Sequence, residues 1–162
     1  MSLFIKFDGV DGQAKDKDHD KWSDLMSFSW GVHKAGGGAT GQTRHRGVAT
    51  VEDVVCTKEY DKASPKLAEA VLLGKVFPKV EIHDTTTYGG DSNGRVTYLK
   101  YELKNVHVTS QQISGSGSGD SVPTESFSLN FEEVKQTYVE YDEAGKKKGN
   151  VEMTWKVEQG TK

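Results

Sequence analysis

The residues whose types and spacing could do chemistry fall into a few short stretches. GGGATGQT, from Gly36 to Thr43, matches two phosphate-binding patterns: G-x-G-x-x-G at Gly36, Gly38 and Gly41, and a Walker-like frame with Gln42 where the lysine belongs. Both mechanisms need the loop to open a helix whose N-terminal N–H groups face the phosphate. Here it runs into Arg44, His45, Arg46, Gly47 and a β-branched stretch. The reading is therefore an insertion between two strands, with protein contact as its functional version; a phosphate-binding enzyme using Gly36 to Thr43 is the alternative from another class. DKDHD sets Asp16, Asp18 and Asp20 at the alternate spacing of a calcium loop, but Lys21 replaces the turn glycine and Ser27 the closing glutamate. A solvated charged loop is expected instead. His19, His33, His45, His83 and His107 have no HxxxH or HExxH spacing, and no G-x-S-x-G elbow exists. No catalytic residue, metal site or cofactor is expected.

Composition narrows the classes further. The 162 residues make one domain, spanning 1–162, and the formal net charge of -3 gives no global electrostatic case for nucleic acid or an anionic membrane. Lys146 to Lys148 reads as a solvated hairpin tip, without the interleaved aromatics of a nucleic-acid platform. Cys56, the only cysteine, excludes an internal disulfide framework and sits in an apolar run, as a small buried hydrophobe does. Residues 1–20 lack a basic stretch followed by an apolar core, and no apolar run is long enough to cross a bilayer, so no Sec signal and no membrane insertion are expected.

The elements that would position these residues are almost all strands. Leu3, Ile5 and Phe7 alternate with Phe4, Lys6 and Asp8; Met26, Phe28, Trp30 and Val32 alternate with Ser27, Ser29 and Gly31. Val48 to Lys58 is β-branched, with a bulge or kink at Glu52 and Asp53. Further strands are read at Lys79 to Thr87, Arg95 to Lys104, Val106 to Ile113, around Phe127 to Phe131, around Tyr138 to Tyr141, and at Val151 to Val157. GGDSNG at Gly89 to Gly94 is a hairpin turn, and SGSGSGDSVP at Ser114 to Pro123 is a flexible loop closed by proline. Set among the strands is one helix, Pro65 to Leu73. Ser64 reads as its N-cap, Pro65 as its first residue, Gly74 as its left-handed stop, and Leu67, Ala68, Val71 and Leu72 as its docking face. Eight or nine strands with one flanking helix give a mainly β fold, a β-barrel built from two antiparallel sheets, because the helices that a parallel sheet requires are missing.

As a set, MSLFIKFDGVDGQAKDKDHDKW, SFSWG at Ser27 to Gly31, CTKEYDKASPKLAEAVLLGK and TESFSLNFEEV at Thr124 to Val134 resemble the haemolysin-coregulated protein family, Hcp. The resemblance runs in order along nearly the whole chain. It implies a non-enzymatic subunit of the type VI secretion system inner tube, a homo-hexamer stacking into tubes, similar in fold to phage tail tube proteins. It also implies partners: the valine-glycine repeat spike protein, sheath proteins and small effector proteins in the lumen. Such a subunit is in the bacterial cytoplasm during assembly and is then secreted without a Sec signal peptide. A prophage tail tube protein is the alternative within structural proteins. The resemblance makes the loop carrying Gly36, Gly37, Gly38, Gly41, Gln42, Arg44 and Arg46 the candidate for ring stacking. Ser27 and Ser29 become candidates for the lumen. Ser64, Pro65, Leu67 and Val71 mark the helix at the barrel flank.

Overall fold

The computed structural model describes residues 1–36, 46–88 and 94–161, with eleven strands and one α-helix among them. One sheet follows the order β2 (Ser23–Leu25), β1 (Ser2–Phe7), β7 (Val76–Thr87), β8 (Arg95–Ser114), β9 (Thr124–Asn130), β6 (Val54–Glu59), β3 (Ser27–Ser29). β10 (Glu133–Tyr141) branches from β8 and carries β11 (Lys147–Lys156) on its other side. A separate antiparallel pair, β4 (Val32–Gly36) and β5 (Arg46–Val51), forms the second sheet. All the pairings are antiparallel.

The large ladder is open rather than hydrogen-bonded all the way round a barrel, yet its two ends are neighbours in the chain. β2 pairs with β1 and β3 with β6, and Met26 alone separates them, its N–H donating to the Thr57 carbonyl at 2.8 Å. Ser23 and Leu25 point inward, Met26 and Ser27 are both exposed, and Phe28 and Trp30 point inward again. Two successive outward residues are the signature of a bulge, and here the bulge is where the strand changes partner. It explains why Met26 departs from the expected apolar face.

The strands expected at Arg95 to Lys104 and Val106 to Ile113 are one 20-residue strand bent at Asn105, whose φ of 52° is left-handed. Asn tolerates that region better than most residues, and its side-chain amide donates to Glu132 at 2.7 Å. At this bend β8 exchanges β10 for β9 as its neighbour. At Glu52 and Asp53, where a bulge or kink within one strand was expected, the chain instead leaves one sheet for the other: β5 ends at Val51 and β6 starts at Val54. Asp142 tightens the β10–β11 turn by accepting from the Ala144 and Lys146 N–H groups, which puts Lys146 to Lys148 at the hairpin end.

Inside, Phe7 packs against Phe77 and Phe127 with ring centroids 5.3 and 5.8 Å apart, among Ile5, Val54, Cys56, Leu103 and Leu129. The helix α1 (Ser64–Leu73) docks on β8 and closes the core with Leu67 and Ala70, both fully buried. Full burial of a leucine contributes about 2 kcal/mol, which a helix this short needs in order to form. It ends as expected: Gly74 is left-handed, and the Lys75 N–H reaches back to the Ala70 carbonyl at 2.9 Å. Leu72, placed on the docking face by its spacing, is instead 85% exposed, and Leu73 beside it 72%.

Candidate functional site

Ser64 does not cap the helix. It is the first helical residue, preceded by Ala63 in helical conformation, and its side chain bonds no N–H of the first turn. A stronger claim is made on its hydroxyl by Lys58, which is fully buried on β6. Lys58 Nζ lies 2.5 Å from Glu125 Oε1, 2.7 Å from Asp61 Oδ1 and 3.0 Å from Ser64 Oγ. Ser64 Oγ also accepts from the Asp61 N–H and donates to Glu125 Oε1 at 2.6 Å, which uses its single proton and both lone pairs. Gln111 on β8 completes the group by donating to Glu125 and to the Ser64 carbonyl. Burial opposes ionisation of Asp61, but hydrogen bonds from Lys58 and Ser23 and the Lys58 charge outweigh it and hold its carboxyl below the usual range. A cation with two carboxylates inside the fold is stable only when so satisfied, and this group pins α1 to β6, β8 and β9.

A second polar group lies on the outer face of β1. The segment between β1 and β2 folds back as a strap, held by Gly12 N–H to Lys21 carbonyl and Ala14 N–H to Trp22 carbonyl, both 2.7 Å. Its charged run is therefore not simply solvated. His19 is buried, stacked on Phe4 with ring centroids 4.3 Å apart, and Asp16 binds His19 and Arg95. Asp16 is thus committed to neighbouring side chains rather than to a metal ion, and among the described residues no group of three or more His, Cys, Asp or Glu could hold one.

Ser27 and Ser29 are exposed on β3, opposite Thr57 and Val55 of β6. Of the candidate stacking loop, Gly36 and Arg46 pair as the last described rung of β4–β5; Gly37, Gly38, Gly41, Gln42 and Arg44 lie outside the described residues. The loop therefore issues from a two-stranded arm rather than opening a helix. Pro65 is exposed at the helix start and Val71 is half-buried against the core. Periodicity did not single out the apolar cleft of about 270 Å³ between the arm and β11, lined by Trp30, Val32, Ala49, Val51, Met153 and Trp155. Beside it Val151 is 73% exposed. The alternation of Val151, Met153 and Trp155 marks one face of β11, but not that this face is left uncovered. The buried polar atoms of both groups bond to one another, so these arrangements hold shape, and the apolar residues outside offer contact.

These features define a class: an antiparallel β-sheet protein with a separate two-stranded arm, a pinned flanking helix and apolar side chains left uncovered. The family described as "Type VI secretion system effector, Hcp" matches residues 4–138. Protein hcp1 of Pseudomonas aeruginosa is 34% identical over 160 residues, covering 98% of this chain and 96% of that protein. A solved type six secretion system protein superposes with a TM-score of 0.90 at 31% identity, covering 99% of this chain and 98% of the other. Hcp1 from Salmonella typhimurium follows at 0.76 and 25% identity, covering 99% and 96%. The chain belongs to the Hcp family, the secreted tube proteins of the type VI secretion system. No helix among the described residues is long and apolar enough to cross a membrane.

Proposed function

We propose that this chain closes into homo-hexameric rings that stack into the inner tube, and that the tube leaves the cell with the valine-glycine repeat spike protein when the sheath contracts. The observation that carries this reading is the near full-length likeness to a type six secretion system protein at a TM-score of 0.90. The surface is suited to it. A ring needs two different, complementary patches on each protomer, and Leu72, Leu73, Val151 and Val32 are apolar side chains left uncovered on the isolated chain. In this reading the loop between Gly36 and Arg46 meets an acidic patch on the next ring through Arg44 and Arg46. Ser27 and Ser29 face the lumen, where small effector proteins ride. The subunit works by fit rather than by catalysis.

Light scattering and negative-stain electron microscopy of the purified chain test the proposal: rings of six protomers with a central pore are expected. A monomer at tens of micromolar, with no rings on the grid, would overturn it. Ser29→Trp separates the lumen assignment from the ring itself. Intact rings that no longer retain an effector support it, and unchanged retention refutes it.

A further inference from the structure

The strap carries a side-chain relay that ties it to β7. His19 Nδ1 is 2.6 Å from Asp16 Oδ2, His19 Nε2 is 3.0 Å from His83 Nδ1, and His83 Nε2 is 3.2 Å from Glu81 Oε2. Trp22 packs edge-on to His19 and obliquely on His83, and Phe4 covers the other side of His19. Three contacts in line need three protons, and the two carboxylates at the ends supply none. A neutral histidine pair holds two ring protons, so one contact would set a bare nitrogen against an anion or a second bare nitrogen. A doubly charged pair holds four, so two N–H groups would face each other across the 3.0 Å contact. Only three protons complete the relay.

We propose that His19 and His83 are a proton-counting latch: with three ring protons between them they clasp the 11–22 strap to β7, and a fourth proton releases it. The charged ring is His19, because its contact to Asp16 is the short one, as charge-assisted hydrogen bonds are. His83 is then the neutral Nε2–H tautomer, accepting at Nδ1 and donating to Glu81. The surrounding charges suit that arrangement. Arg95 from β8 binds Asp16 at 2.8 Å, Lys79 on β7 binds Glu81 at 2.7 Å, and Lys100 on β8 lies opposite His83 in register.

Burial above all, with the His19 and Lys100 charges added and against the pull of Glu81, keeps the His83 pKa below its ordinary value. A depressed histidine pKa stabilises the closed strap fully above the unfolded value of about 6.5, and that contribution is lost as pH falls through the folded value. The end carboxylates stay ionised in that window. Asp16 is held below the usual range, chiefly by its His19 hydrogen bond, and Glu81 is pulled down to about 2, chiefly by His83.

Two measurements on the full purified chain decide the matter. Nitrogen-15 shifts of the imidazoles near pH 7 should show both His19 nitrogens protonated and His83 protonated only at Nε2. A single proton on His19 overturns the latch. Hydrogen exchange of the Gly12, Ala14 and Trp22 amides, corrected for intrinsic rates, should lose protection between pH 7 and 5, approaching tenfold per pH unit between the unfolded and the folded value and levelling off below the latter. In His83→Gln the side-chain carbonyl can accept from His19 and the amide can donate to Glu81 without titrating, so protection should stay flat. Flat protection in the wild type, or equal loss in the variant, refutes the proposal. Should the variant not fold, the wild-type nitrogen shifts decide alone.

Discussion

Removing the Glu125 carboxylate is the sharpest test of what fixes the helix to the sheet. In Glu125→Ala, Lys58 Nζ loses its 2.5 Å partner, the Ser64 hydroxyl loses the acceptor of its only proton, and Gln111 loses one of its two acceptors. Lys58 has no exposed surface through which water could replace the carboxylate, and Asp61 becomes its one remaining anion. Leaving a buried charge half-paired costs about 3–5 kcal/mol. For a chain of this length each kcal/mol lowers Tm by about 2–4 °C, so a fall of roughly 6–20 °C is expected. Differential scanning calorimetry at fixed protomer concentration measures it, since any assembly also contributes to apparent stability. The double replacement Lys58→Met, Glu125→Leu should recover part of the loss, because it removes the two fully buried charges and leaves only Asp61, which water still reaches. A single variant that melts within about 1 °C of the parent, or a double variant no better than the single, would refute the claim that charge satisfaction pins the helix.

Three further outcomes follow from the same physical account. Gly12→Ala should cost about 1–3 kcal/mol in urea denaturation, because a Cβ there runs into the Trp22 carbonyl and Ser23 Oγ. Cys56 should stay unmodified by a thiol-disulfide reagent in the native protein and react fully in guanidinium chloride, since burial pushes its thiol pKa up and leaves no exposed surface. The urea midpoint should fall as pH drops from about 4 toward 2. Glu81 has a folded pKa of about 2, set first by His83, and Asp61 is likewise held low, so both stabilise the fold above the unfolded carboxylate values near 4 and lose that contribution on protonation. Glu81→Gln should flatten part of that slope.

Much of the fold was legible because its strands alternate cleanly and its helix carries its own stop signals. Leu3, Ile5 and Phe7 point as their spacing says, and Pro65 and Gly74 bound the helix to within a residue. Tertiary competition hid the rest. Ser64 has the chemistry of a cap, but a buried lysine six residues earlier offers its hydroxyl a better use, and nothing local marks Lys58 as buried. Phe4 should face water by alternation, yet the strap returns to cover it with His19. That contact joins residues with no common periodicity. The expected docking face groups Leu72 with Leu67, but five residues turn it about 140° around the helix, away from the face that Leu67 and Ala70 bury. The assembly surfaces were the least legible, because an apolar residue awaiting a partner looks the same in sequence as one already buried.

The change of partner at Met26 also bears on how the chain tolerates insertion. An extra residue inside a strand ordinarily turns every later side chain to the opposite face, and so unseats half the core contacts of that strand. Around Met26 the phase already slips by one, and the two halves answer to separate templates, β1 on one side and β6 on the other. An added residue there lengthens the corner while Ser23, Leu25, Phe28 and Trp30 keep their inward aim. The seam thus serves as an expansion joint, letting the two ends of the ladder adjust to each other without disturbing either register.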